Sequence, residues 1–165
     1  MAYVGFFGPK RPPWGRLSNK APSPFVEDGQ AYPTVEHYFQ AHKFLDPEYR
    51  RLIATAPNPY AARELGRQVA VHQSMAPVIN TYLAKGVKPR PDWEAVKDSV
   101  MYTALLAKFR QNPTLRKLLL STGEFEIKEE SPWDEYWAVG RDGLGRNRLG
   151  ELLQQARKEL RDEQV

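Results

Sequence analysis

The chain has 165 residues, 41% of them hydrophobic and 27% charged, which suits one domain around a single core and excludes wholesale disorder. It has no cysteine, so disulfides, thiolate nucleophiles and cysteine-ligated zinc are excluded. The net charge of +4 is modest, and without a basic helix, zinc-finger spacing or helix-turn-helix pattern it argues against DNA reading and leaves phosphate on a small ligand as a partner.

Tyr3 to Phe7 reads as a short apolar strand, and the Pro-, Gly- and basic-rich stretch through Pro24 as a surface loop of the kind that often carries ligand contacts. Asp28-Gly29, between Phe25-Val26 and Ala31-Tyr32, predicts a tight hairpin. Pro33 and Thr34 then open a helix, and Glu36, Gln40 and Lys43, four and then three residues apart, fall on one stripe of it. A carboxylate, an amide and an amine are thereby aimed at one place. The same spacing also fits a solvated face, with Glu36 complementing the helix dipole from the first turn.

Tyr60 to Val69 predicts a second helix. Residues 71 to 91, with Met75, Pro77, Lys85, Gly86, Pro89 and Pro91, read as an insertion of mixed character to which no role is assigned. Trp93, Val96, Val100, Met101, Ala104 and Leu105 recur at helical spacing from about Asp92 to Arg110, a core stripe. Pro113 starts a fourth helix through Leu120, stopped by Gly123. Phe125 to Lys128 and Tyr136 to Val139 read as short strands or extended pieces, and Leu149 to Asp162 as a final amphipathic helix. The expected fold is mainly α with a small β element (α+β), one domain over residues 1 to 165.

The block from Ser131 to Gly150 sets aromatics around Asp134 and a Gly-rich loop before the last helix. Such a loop lets backbone N–H groups approach an anion, with Arg146 or Arg148 adding charge; it equally fits a turn leading to Asn147 as a helix cap. Gly143 and Gly145 match two positions of a dinucleotide fingerprint, but Arg148 holds the third and no βαβ unit surrounds it. Basic residues cluster at Lys10, Arg11 and Arg16 and at Arg141, Arg146 and Arg148, as a phosphate site or a solvated rim. His37 and His42 do not share a helix face and His72 lies apart, so no metal is expected. A phosphate-binding Walker loop and a serine elbow are both missing. The lack of cysteine, of a signal-like start in Met1 to Pro13 and of an apolar run near the ~18 residues of a membrane span leads to a cytoplasmic expectation without membrane association.

Five ordered motifs carry a resemblance: Pro33-Thr-Val-Glu-His-Tyr-Phe-Gln-Ala-His-Lys-Phe, Ala61-Ala-Arg-Glu-Leu-Gly-Arg, Trp93-Glu-Ala-Val-Lys with Val100-Met, Ala107-Lys-Phe with Asn112-Pro, and Gly145-Arg-Asn-Arg-Leu-Gly. Together they resemble the NADAR, or YbiA-like, family. The resemblance implies a compact, mainly helical domain that hydrolyses N-glycosidic bonds; no cofactor is expected. Its substrate would be ADP-ribose on guanine, in a nucleotide or nucleic acid, with early phosphorylated riboflavin intermediates as the alternative. Carried over by position, it marks Glu36, Lys43, Asp134, Trp137, the Asn147, Leu149 and Gly150 element, and the Ser18-Asn19 pair. Leu17 and Lys20 stand where the family has aromatics, Ala138 stands where it has glycine, and the 71–91 segment looks longer than usual.

Breaking a ribose C1–N bond builds positive charge on the sugar, which a carboxylate stabilises while an acid helps the base depart. The expected catalytic residues are Glu36 as general acid/base, Lys43 as nucleophile or electrostatic anchor, and Asp134 orienting ribose hydroxyls. Ser18, Asn19, Gln40, Trp137, Gly145, Arg146, Asn147 and Arg148 would bind substrate, Trp137 or an aromatic from Tyr3 to Phe7 by stacking and Arg146 or Arg148 through phosphate. Two rival classes are a non-catalytic ADP-ribose- or nucleotide-binding module, which has no use for a carboxylate–amine pair, and a DNA-coating protein. An ADP-ribosylating toxin as partner and the oligomeric state are left open.

Overall fold

The computed structural model describes residues 2–164. The hairpin forms where Asp28-Gly29 predicts it: β2 (Phe25–Glu27) and β3 (Gln30–Tyr32) pair antiparallel, and Asp28 and Gly29 both take positive φ, 50° and 76°, as a two-residue turn between twisted strands requires. The hairpin feeds α1 (Val35–Ala41), whose N-cap Thr34 accepts a hydrogen bond from the His37 backbone N–H. Every residue of α1 is buried. It is the axis of the molecule, flanked by α2 (Pro47–Ala54), α3 (Pro59–Arg67) and α5 (Trp93–Gln111).

α2 was not among the expected helices, although its signals are local. Asp46 caps it through the Tyr49 N–H, and Pro47 occupies its first turn. Asn58 and Pro59 start α3 in the same way, and α3 ends two residues short of Val69 because Gln68 turns into the left-handed region. Within residues 71–91 lie a 3-10 turn (Gln73–Met75) and α4 (Ala76–Ala84). Ile79 and Tyr82 anchor α4; the Tyr82 ring lies 4.8 Å from that of Tyr49, and its hydroxyl donates to Glu48 at 2.7 Å.

α5 packs on α1 and α7 (Arg148–Asp162), and α6 (Pro113–Ser121) closes the far side. Phe125 to Lys128 contains β4 (Ile127–Glu129), which pairs parallel with β1 (Val4–Phe6) in the register Val4 to Ile127 and Phe6 to Glu129. Tyr136 to Val139 is not a strand. Three of its carbonyls curl round the start of α7, accepting from Arg148 at 2.9 Å, Leu149 at 3.0 Å and Asn147 at 3.1 Å, and Val139 touches β4 through a single bond, its N–H donating to the Glu129 carbonyl at 2.9 Å; carbonyls taken up by a helix end leave no ladder to extend. The fold is therefore mainly helical with two small β pairs.

Candidate active site

A cleft of about 590 Å³ opens where α1, α3, the start of α5, β1, β4 and the loop after β4 converge. Glu36, Gln40 and Lys43 all line it, although α1 stops at Ala41 and Lys43 sits in the turn beyond, its N–H on the Gln40 carbonyl at 3.3 Å. Glu36 is 8% exposed and Gln40 5%. Gln40 Nε2 donates to Glu36 Oε1 at 2.9 Å, and the Glu36 backbone N–H donates to the Asn19 carbonyl at 3.0 Å. The amide therefore fixes the carboxylate, and the carboxylate's own backbone fixes the loop opposite.

Gly66 explains how this is possible. A Cβ there would lie 2.0 Å from Gln40 Oε1, so only glycine lets α3 approach α1 with the amide in place. Gln40 Oε1 and Asn19 Oδ1 are buried acceptors with no partner among the described residues. Ser18 Oγ accepts from the Lys20 N–H at 3.2 Å, and Asn19 Nδ2 reaches Met101 Sδ at 3.5 Å.

Burial pushes the Lys43 amine below its ordinary value, and the neighbouring Arg67 adds to this, with Glu36 opposing. More of it is uncharged near neutrality than of a solvated lysine. Asp134 uses Oδ1 to hold the turn that follows, accepting from the Tyr136 N–H at 2.9 Å and the Trp137 N–H at 2.7 Å. Trp137 stands edge-on to Phe39 at 5.4 Å, and Phe39 lies 4.9 Å from Trp93. This gives the cleft an aromatic wall, while Trp133, 74% exposed, stands at its mouth.

Ser18, Asn19, Glu36, Gln40, Lys43, Asp134 and Trp137 thus meet in one cleft. Gly145, Arg146, Asn147 and Arg148 lie outside its lining, where the anion-loop reading had placed them within the site. Gly145, Asn147 and Arg148 are committed to the scaffold. A Cβ on Gly145 would lie 2.6 Å from the Ala138 carbonyl oxygen. The exposed Arg146 lies over the Tyr136 ring at 5.2 Å. Asn147, with φ 55°, does not cap α7 by its side chain but ties β4, donating to the Ile127 carbonyl at 2.8 Å and accepting from the Glu129 N–H at 3.0 Å. Arg148 pairs with Asp98 at 2.8 Å, and Asp98 also accepts from the Tyr136 hydroxyl at 2.6 Å. Lys10, Arg11 and Arg16 are exposed and likewise outside the lining.

Sequence reasoning missed Glu129, Lys20, Arg63 and Arg67, all of which line the cleft. Burial, then the negative Asp134, pushes the Glu129 carboxyl up to about 7, with Lys20 opposing. A readable signal existed: Glu129 is two residues from the core Ile127, so on a strand the two share a face.

The family model described as the NADAR domain matches residues 5–161. The chain belongs to the NADAR family. It is 42% identical to N-glycosidase YbiA of Escherichia coli (strain K12) over 148 residues, which is 89% of this chain and 82% of that protein. The NMR structure of E. coli YbiA superposes with a TM-score of 0.80 at 39% identity, covering 98% of this chain and 86% of that one. A chloroplastic riboflavin biosynthesis protein, PYRR of Zea mays, is 39% identical over 158 residues, 89% of this chain but 23% of that longer protein. The NADAR fold expected from the motifs is therefore the one observed, and no helix among the described residues is long and apolar enough to cross a membrane.

Proposed function

We propose that this NADAR protein is an N-glycosidase that cleaves the C1–N bond between a phosphorylated ribose and a base, and that its substrate is ADP-ribose linked to guanine. The observation that carries the reading is the meeting of an amine of lowered proton affinity, Lys43, with Glu36, Glu129 and Asp134 in one aromatic-walled cleft. A module that only bound a nucleotide would have no use for that combination. The name of the E. coli relative supports the reaction class.

In the proposed reaction the uncharged Lys43 amine attacks C1 as the C1–N bond breaks, and Glu129 passes its proton to the departing base nitrogen. The Glu36 carboxylate, steadied by Gln40, offsets the positive charge that builds on the sugar. It then takes a proton from the water that displaces lysine from C1. Asp134 holds Trp137 by its backbone and keeps its second oxygen for ribose hydroxyls. The base stacks against the aromatic wall. The name of the Zea mays relative favours a second substrate, an early phosphorylated riboflavin intermediate, which presents the same ribose–nitrogen bond.

The test follows base release by mass spectrometry from an oligonucleotide bearing ADP-ribosylated guanine and, in parallel, from the first riboflavin-pathway intermediate. Release from the first, reduced by about 10²-fold or more in Glu36→Gln, is expected. Release from the second alone reassigns the substrate. Release from neither, with ADP-ribose still bound, replaces the enzyme with a reader. Full turnover by Lys43→Ala removes the covalent step.

A further inference from the structure

α3 carries Tyr60, Arg63 and Arg67 three and then four residues apart, so they share one face, and all three line the cleft. Lys20 reaches the same wall from the loop after a 3-10 turn at Trp14–Leu17, with its ammonium 5.2 Å from the centre of the Tyr60 ring. Three cations are thereby gathered on one wall of the cleft, Lys20 and Arg63 half-buried and Arg67 exposed.

Among the described residues, none of the three has an ion-pair partner, whereas Arg90, Arg110, Arg148 and Arg161 each pair with a carboxylate. The acid next along α3, Glu64, does not help them; it faces away to accept from the Val71 and His72 N–H groups. Burial, with Arg63 adding repulsion, holds both Lys20 and Arg67 below their ordinary values, and Glu36 opposes this in each. Like charges kept together at such a cost are relieved by an anion. Two guanidinium forks and an ammonium supply the donors that phosphate oxygens accept. Lys43 lines the same cleft, and Arg67 helps to lower its amine.

We infer that Lys20, Arg63 and Arg67 form a phosphate subsite, with Tyr60 beneath Lys20, that holds the phosphate ester of the ribose while its C1 faces Lys43. The inference rests on the glycosidase reading only for the identity of the sugar. A monoester and a diphosphate offer the same oxygens, so both are tested.

Calorimetric titrations at low ionic strength would use ribose 5-phosphate, ADP-ribose and ribose against wild type, Arg63→Gln, Arg67→Gln and Lys20→Met, each checked by circular dichroism. Wild type is expected to bind a phosphorylated ligand with an affinity that falls as salt rises, and to bind ribose far more weakly. Each variant should weaken the phosphorylated ligand about ten- to a hundredfold. Equal binding of both phosphates assigns the subsite to a monoester; binding of ADP-ribose alone assigns it to a diphosphate. Phosphate binding unchanged in all three variants, or absent in wild type, overturns the inference. Should an α3 variant fail to fold, the loop variant Lys20→Met decides alone. Base release in the same preparations separates the two readings. No release with variant-sensitive phosphate binding removes the glycosidase and keeps the subsite; release with unchanged KM in every variant does the reverse.

Discussion

A carboxyl group donates a proton only while it holds one, and burial beside Asp134 pushes Glu129 up to about 7. Above that pH the acid is spent, so kcat/KM should fall as pH rises through about 7. Lys43 imposes the opposite limb, because attack needs the uncharged amine, whose share grows with pH. The product is a bell-shaped profile. In Glu129→Gln the limb near 7 should vanish and the rate should drop by about 10²- to 10⁴-fold; a pH–rate series on both proteins reads this directly, and an unchanged alkaline limb would take the acid role from Glu129.

The contact of α1 with α3 governs the site at the level of elements. Gly66 leaves the space that Gln40 fills, and Gln40 in turn holds Glu36. Gly66→Ala drives a methyl into that amide, so either the helices part or Gln40 swings away. Overpacking of this kind costs about 1–3 kcal/mol. A lowered Tm is expected together with a fall in kcat larger than the rise in KM, since Glu36 loses its support; if Tm drops and kcat stays at the wild-type value, Gln40 does not position Glu36. The start of α7 does similar work, for Asn147 and Gly145 bring the loop onto β4, and β4 carries Glu129.

Across the whole molecule, Lys108 joins the long helix to the cleft loop. Wholly buried on α5, its Nζ donates to the Arg16 carbonyl at 2.8 Å and the Ser18 carbonyl at 3.0 Å, and burial lowers the amine to about 7. The unfolded chain, with an ordinary lysine near 10.5, binds more protons between about 7 and 10.5. Stability should therefore rise with pH through that window relative to Lys108→Met, in which the effect is gone. Parallel urea titrations from pH 6 to 10 measure the difference; identical pH slopes in the two proteins would place the Lys108 titration outside folding.

The sequence by itself determined what depends on neighbours along the chain. The Asp28-Gly29 turn, the Thr34 cap and the helix of α5 are settled within a few residues by backbone sterics, capping and periodicity, although of the expected α5 core stripe only Met101, Ala104 and Leu105 are buried and Trp93 and Met101 line the cleft. The same local logic brought Glu36 and Gln40 together, while Lys43 reaches the cleft from the turn beyond α1, and the shortness of α2 and α4 hid their helical periods. Only the tertiary structure decided which cations face the cleft. Arg146 and Arg148, conspicuous beside glycines, are engaged with Tyr136 and Asp98, while Arg63 and Arg67, inconspicuous on an amphipathic helix, line the site. Glu129 lies on β4, which pairs with β1 across the length of the chain, and burial, then the nearby Asp134, raises its proton affinity. Charge and proton affinity are set by what lies nearby in space, and spacing along the chain does not carry that distance.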